Sequence, residues 1–291
     1  MPFFSIIIPT YNRAQLVTKT VQSVLEQKFT DFEVLIVDDG STDETRWVIE
    51  QIKDPRITYI FQPNGERGKA RNTGVKHAIG TYVFFLDSDD IIYPNHLEKA
   101  YKELLKLDFP EFFHVRYEHL FNGKRVSVKQ LKESTIRKSI FYQNLFACQF
   151  FLKLDIAKKF PFSENRALKI GEDWEVILKI AVRYPLHFTN EVHAAIVQHD
   201  GRSMQIAGFK EILTSRDLLV NNLKKDPEIS KRICWNVWSE LTTLAALSAA
   251  IEDNKKRAIS YWWKGVKSSP HQLLKRRTLA IFKKIIFHGK A

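Results

Sequence analysis

Four short apolar runs alternate with helix-like stretches in the first third of the chain, and this alternation restricts the fold more than any other feature. The runs fall at residues 4–8, 32–37, 56–61 and 82–86. They are rich in β-branched and aromatic residues and each is closed by turn residues, the pattern of buried strands. Helices are expected between them at 14–26, 41–52 and 69–79. Ser41 or Thr42 is expected to cap the second of these and Gly80 to stop the third. Strand and helix in turn argue for a mostly parallel sheet flanked by helices, with right-handed crossovers. All four strand tips then lie on one edge, where ligands of open α/β sheets bind.

The polar residues at those tips carry the candidate chemistry. Thr10, Tyr11, Asn12 and Arg13 follow the first run, Asp38 and Asp39 the second, and Asp87-Ser88-Asp89-Asp90 the fourth, while Arg71 opens the third helix. Tyr11 can stack on a nucleotide base and Thr10 can bond to its edge. Asp39 can accept from an imide N–H such as that of uracil, and Arg71 can donate to a base carbonyl or a phosphate. Plainer readings stand beside these: Tyr11 as loop packing, Asp38 as an acid bonded to backbone amides, Arg71 as the ion-pair partner of a nearby acid. Asp87 and Asp89 are two apart, and on an extended chain they point the same way. Adjacent carboxylates repel, and Mg²⁺ or Mn²⁺, which favour hard oxygen ligands, would neutralise them. Taken alone, such a pair is more often an acidic turn that caps a helix.

Other nucleotide folds are disfavoured. No Gly-x-Gly-x-x-Gly follows the first run, and no Gly-x-x-x-x-Gly-Lys-Ser/Thr occurs. A net charge of +12, from 45 basic against 33 acidic residues, favours an anionic partner. Nucleic acid is not expected, because no recognition motif is present and the basic residues are spread along the chain apart from the final helix. Cys148 and Cys234 are far apart and in no metal-ligand spacing, which reads as reduced thiols in a cytosolic protein. Neither a signal peptide nor a transmembrane run is expected.

Further along, a helix over 94–107 precedes an aromatic hairpin, 109–121 and 124–128, turning at Asn122-Gly123. A strand is expected over 143–153 and a short helix over 155–159. Gly171-Glu172-Asp173-Trp174-Glu175 opens a helix that runs to about residue 184. Acids in a first turn gain from the helix dipole, which suits capping and also keeps a general base ionised. His199, in a polar turn, can join a metal or a phosphate, or is an ordinary hydrogen-bonded loop residue. From residue 208 helices are expected over 212–224, 229–251, 255–266 and 273–287. The last, between Leu273 and Phe287, is basic and amphipathic. It suits either an anionic membrane surface or packing on the rest of the protein.

Assembled in order, these motifs resemble the family 2 glycosyltransferases of the GT-A fold. The resemblance rests on Ser5-Ile6-Ile7-Ile8-Pro9-Thr10-Tyr11-Asn12-Arg13, Val37-Asp38-Asp39-Gly40-Ser41-Thr42-Asp43, Gly68-Lys69-Ala70-Arg71-Asn72-Thr73-Gly74, Phe85-Leu86-Asp87-Ser88-Asp89-Asp90, Gly171-Glu172-Asp173-Trp174-Glu175 and His199-Asp200-Gly201-Arg202-Ser203. It implies a catalytic domain over 1–207, with a donor half at about 1–107 and an acceptor half at about 108–207, followed by a helical region over 208–291. It implies that Thr10, Tyr11, Asn12, Arg13, Asp39, Arg71, Asp87 and Ser88 hold the nucleotide. Asp89, with Asp87 and His199, would bind Mn²⁺ or Mg²⁺, and Arg202 would contact phosphate. Asp173 would be the general base, with Glu172 beside it. The implied reaction is inverting transfer from a nucleotide-sugar, UDP-sugar first, to a saccharide or lipid-linked saccharide in surface polysaccharide or glycoconjugate synthesis. The implied location is cytoplasmic, peripheral at the inner face of a membrane if the last helix binds there. The alternative is an inactive relative that only binds nucleotide or glycan.

Overall fold

The computed structural model describes residues 1–127, 136, 139–146, 149–199 and 207–287. It divides into two compact units: Met1–Lys132, Phe146–Glu164 and Arg183–His199 form the first, and Glu133–Leu145, Asn165–Val182 and Asp200–Ala291 the second.

The first unit is built on a nine-stranded sheet: β1 (Phe4–Thr10), β2 (Phe32–Asp38), β3 (Ile57–Phe61), β4 (Tyr82–Phe85), β5 (Ile91–Ile92), β6 (Phe112–Phe121), β7 (Lys124–Ser127), β8 (Phe150–Lys153) and β9 (His187–Gln198). The order is β3-β2-β1-β4-β8-β6-β9-β5, with β7 paired to β6. The four alternating runs of the sequence are the parallel strands β1 to β4. Beyond β4 the sheet turns mixed, since β8 is antiparallel to both β4 and β6, whereas β9 runs parallel to β6. Every residue of β1 and β4 is buried, as expected of strands covered on both faces. The helices of this unit are α1 (Ala14–Leu25), α2 (Thr45–Glu50), α3 (Glu66–His77), α4 (His96–Lys106) and α5 (Leu154–Lys159). Phe84 stacks on Phe151 at 4.5 Å between ring centroids, and His96 lies against both rings, which joins β4, β8 and α4 in one core.

Several local expectations are corrected. Ser41 and Thr42 do not cap α2. The Ser41 hydroxyl accepts from the Asn12 backbone, and the Thr42 N–H donates to the Asn12 side chain, so both tie the β2 loop to the β1 loop. Gly80 is not the residue that ends α3, which stops at His77 with Gly65 rather than Lys69 at its start. Gly80 instead lets two strands meet closely, because a Cβ there would lie 2.7 Å from Ser5 Oγ. The expected strand over 143–153 shrinks to β8. Residues 140–144 are held elsewhere, by the Trp174 indole donating to the Ile140 carbonyl and by Asn144 bonding to Asp173.

The second unit is helical: α6 (Glu172–Ala181), α7 (Phe209–Lys224), α8 (Lys231–Ile251), α9 (Lys255–Ser268), a 3₁₀ turn (Pro270–Leu274) and α10 (Arg276–Phe287). The final helix therefore begins three residues later than its apolar pattern suggests. Lys275 is extended, with φ −82° and ψ 141°, and separates the 3₁₀ turn from α10. Buried Glu240 of α8 pairs with Lys275 at the break and with Arg277 in the first turn of α10. None of the described helices is long and apolar enough to cross a membrane.

Candidate active site

The sheet edge at the tips of β1, β2 and β4 gathers the candidate donor residues of the first unit. Thr10 ends β1, and its buried Oγ1 has no hydrogen-bond partner among the described residues. Tyr11, next in the chain, is 46% exposed. Asn12 holds a left-handed φ of 50°, and its side-chain carbonyl accepts the Thr42 N–H at 2.8 Å. The Arg13 N–H donates to Thr45 Oγ1 at 2.9 Å, and the Ala14 N–H to Asp43 at 3.2 Å. These bonds fix the loop after β1 to the loop after β2 on a single backbone frame.

The two acids that end β2 are buried and do different work. Asp38 accepts from the Ser41 N–H at 2.8 Å and the Tyr59 hydroxyl at 2.7 Å, which makes it the acid that shapes the turn. Asp39 accepts from Gln62 at 2.6 Å and the Gly65 N–H at 2.8 Å. Burial pushes the Asp39 carboxyl up from its ordinary pKa, and the Gln62 and Gly65 hydrogen bonds offset this only in part. Gln62, which sequence reasoning did not single out, also accepts from Thr73 at 2.6 Å and so connects Asp39 to α3. A single polar residue after a strand gives no warning of such a role.

Arg71 lies buried on α3, donates to Asp87 Oδ1 at 2.8 Å and has its guanidinium 5.2 Å from the Phe162 ring centroid. The ion-pair alternative for Arg71 is thus realised in the structure. A buried guanidinium requires such a partner, and its fixed fork then orients the Asp87 carboxylate. Neighbouring Asn72 clamps the Phe162 backbone in both directions at 2.9 Å, which holds the aromatic wall against Arg71.

The carboxylates after β4 converge by a different route from the one expected. The chain is not extended there, because the Asp90 N–H donates to the Asp87 carbonyl at 3.0 Å and closes a turn. The turn brings Asp90 in with Asp87 and Asp89, so that one carboxylate oxygen from each lies within 4.8 Å of the others. Asp90, named at this strand tip but not assigned to the metal, is buried and accepts the Val197 N–H of β9 at 3.1 Å. Its position directly after the acid pair was the only signal available. His199, at the end of β9, meets Asp89 at 2.9 Å, and Arg13 Nε lies 4.0 Å from the same oxygen. Ser88 is buried within the turn, and Arg202 lies outside the described residues. Three hard oxygen donors at this spacing, with open coordination left over, fit Mg²⁺ or Mn²⁺ and do not suit a soft metal.

Glu172 and Asp173 lie in the second unit, in the first turn of α6. Gly171 takes the N-cap position at φ 87°, a left-handed geometry that glycine adopts without strain. The Asp173 carboxylate receives the Asn144 amide, 3.0 Å from both of its oxygens, and the Trp174 N–H at 2.7 Å. Glu172 is buried, and so is Trp174, which anchors the turn. Asp173 is partly exposed and stands in the first turn of α6, at its N-terminal end.

Known proteins share this arrangement of sequence and fold. Residues 5–154, just over half of the chain, match the family described as glycosyl transferase family 2. An uncharacterized glycosyltransferase of Rickettsia conorii is 35% identical over 181 residues, 61% of this chain and 30% of that protein. Chondroitin synthase of Escherichia coli is 41% identical over 108 residues, 36% of this chain and 16% of that protein. The chain thus aligns with less than a third of each of these relatives. S. aureus TarS in complex with UDP-GlcNAc has the same fold at a TM-score of 0.71 and 21% identity, over 98% of this chain and 88% of that one. A mannosyltransferase from Pyrobaculum calidifontis, in complex with GDP-Man and Mn²⁺, follows at 0.58 and 17%, over 99% and 88%. The matched stretch runs from β1 through the Asp87–Asp90 turn to β8, and on this ground the protein is a member of glycosyl transferase family 2.

Proposed function

We propose that the chain is an inverting, metal-dependent glycosyltransferase that moves a sugar from a nucleoside-diphosphate donor, UDP-sugar first, to a hydroxyl of a saccharide or lipid-linked saccharide. The observation that carries the proposal is the Asp87-Asp89-Asp90 cluster at the tip of β4, on the same edge as Thr10 and Asp39. The UDP-GlcNAc of the TarS complex and the chondroitin synthase relative support a UDP-linked donor in polysaccharide synthesis.

Thr10 offers the base an unused buried hydroxyl, Tyr11 offers an open ring face, and Asp39 offers a carboxylate for an imide N–H. Arg71 holds Asp87 in the orientation that a ribose hydroxyl or a cation would meet. A divalent cation bound by Asp87, Asp89 and Asp90, with His199 at hand, would supply positive charge to the leaving diphosphate. Arg13 adds a fixed cation on the same side of Asp89. Asp173 accepts the proton of the acceptor hydroxyl as that oxygen attacks the anomeric carbon. The Asn144 amide aims Asp173, and one in-line displacement inverts the anomeric centre. The exposed Leu279, Ile286 and Phe287 on basic α10 suit an anionic membrane surface where a lipid-linked acceptor would reside.

Asp173→Asn keeps the size and one acceptor oxygen for the Asn144 amide but cannot take a proton. Its transfer rate from UDP-sugar with Mn²⁺ is expected to fall about 10²–10⁴-fold with donor affinity unchanged. Wild-type turnover by this variant would overturn the base assignment.

A further inference from the structure

The helical unit contains a second cleft that the donor chemistry does not use. A groove of about 480 Å³ lies between α7, α8 and α9, within the range of small-molecule sites at about 300–1,000 Å³. Val220 and buried Cys234 line it together with two indoles, Trp235 and Trp238. Three lysines complete the wall: Lys224 from the last turn of α7, and Lys264 and Lys267 from one face of α9. No carboxylate lines it among the described residues, and none of these lysines is ion-paired among them.

The aromatic pair is set up for stacking. Trp235 and Trp238 are three residues apart on α8, so they project from the same side of the helix. Trp235 is 64% exposed, a large apolar surface left to solvent. Trp238 is steadied by the Arg216 guanidinium, 5.0 Å from its ring centroid, and Arg216 does not itself line the cleft. A flat indole beside ammonium groups matches a ligand with apolar C–H faces and anionic substituents. The electrostatics favour the same ligand. From Asn254 to the end the chain carries eleven Lys and Arg and no Asp or Glu, so nearly the whole excess of +12 resides in this last stretch. Lys264 and Lys267 bring part of that charge to the groove, whereas Lys275 and Arg277 are paired with Glu240, and unpaired ammonium groups beside a cleft favour an anionic ligand.

We propose that this groove is a binding site for an acidic saccharide chain, such as an acceptor or product bearing uronic-acid carboxylates. The pyranose C–H faces stack on Trp235 and Trp238, and Lys224, Lys264 and Lys267 pair with the carboxylates. The ligand class rests on the sugar-transfer proposal, whereas the groove itself does not. A non-catalytic site of this kind retains the growing chain between transfers and raises its effective concentration.

The test is calorimetric titration of the full chain with a hyaluronan hexasaccharide, with neutral chitohexaose, and with phosphatidylglycerol vesicles. UDP release from UDP-sugar is measured on the same preparation. The acidic oligosaccharide is expected to bind best, and Trp235→Ala and the double variant Lys264→Gln/Lys267→Gln are each expected to weaken it about tenfold with UDP release unchanged. Raised salt should weaken the wild type more than the lysine variant. Absence of hexasaccharide binding, equal binding of chitohexaose, or unchanged binding by Trp235→Ala would overturn the groove assignment. Trp235-dependent binding of vesicles without hexasaccharide binding would overturn it in favour of a lipid surface. Oligosaccharide binding without UDP release would uphold the groove and count against the transfer proposal. UDP release without oligosaccharide binding would do the reverse.

Discussion

At the scale of single residues, the fold depends on polar groups buried where their chemistry has one acceptable state. His114 is fully enclosed, with neither ring nitrogen hydrogen-bonded among the described residues, and burial pushes its pKa down to about 3. His96, enclosed between Phe84 and Phe151, is also pushed down to about 3, first by burial and then by the nearby His193. Both rings are neutral in the folded chain and take up a proton near pH 6.5 only when it unfolds. Their contribution is therefore complete above about pH 6.5 and is lost progressively as pH falls from there toward 3. Lowering the pH from neutral to 5.5 should cost about 1.4 kcal/mol for each histidine. Urea denaturation at the two pH values checks this. His114→Phe, which keeps a ring against Phe146, should remove its share of the loss, and an unchanged pH dependence would contradict the account.

At the scale of elements, α3 is positioned by two close approaches. A Cβ on Gly74 would lie 2.3 Å from Ile7 Cγ2 in β1, and one on Gly68 would lie 2.2 Å from the Ser163 carbonyl oxygen. Gly74→Ala gains about 1 kcal/mol of helix propensity, but overpacking against a buried β-branched side chain costs up to about 3 kcal/mol. A net loss of about 1–2 kcal/mol is expected in denaturant melts, and equal or higher stability would show that the helix can move away freely. The parallel strands β1 to β4 were legible in the sequence because each is a continuous apolar run with a helix before the next. The second half of the sheet was less so. β8 is four residues long and pairs with strands distant in sequence, and that register is set by Phe84, Phe113 and Phe151 meeting in the core, which no local period records. Gly80 and Ser41 misled for a related reason, since each has a familiar local use that long-range hydrogen bonds displaced.

At the scale of the whole molecule, most of the candidate site was legible because a parallel sheet collects strand tips on one edge. Thr10, Asp39, Asp87 and Asp89 needed only their place after an apolar run. Gln62 and Asn144 were hidden, because a buried bond to Asp39 and a contact to α6 bring them in from positions without any pattern, and Asp90, visible beside the acid pair, joins it through a turn that no local pattern records. The basic residues are spread along the chain, but the acids that balance them stop before Asn254, so nearly all of the net excess lies in the last 38 residues. In the proposed mechanism a cation held by the carboxylate turn links the protein to the donor diphosphate, while Asp173 acts on the acceptor alone. The most direct measurement is calorimetric titration of UDP, with and without Mn²⁺, into wild type, Asp89→Asn and Asp173→Asn. Mn²⁺ is expected to strengthen UDP binding by about tenfold or more in wild type and Asp173→Asn but not in Asp89→Asn. Equal Mn²⁺ dependence in all three proteins, or none in the wild type, would contradict it.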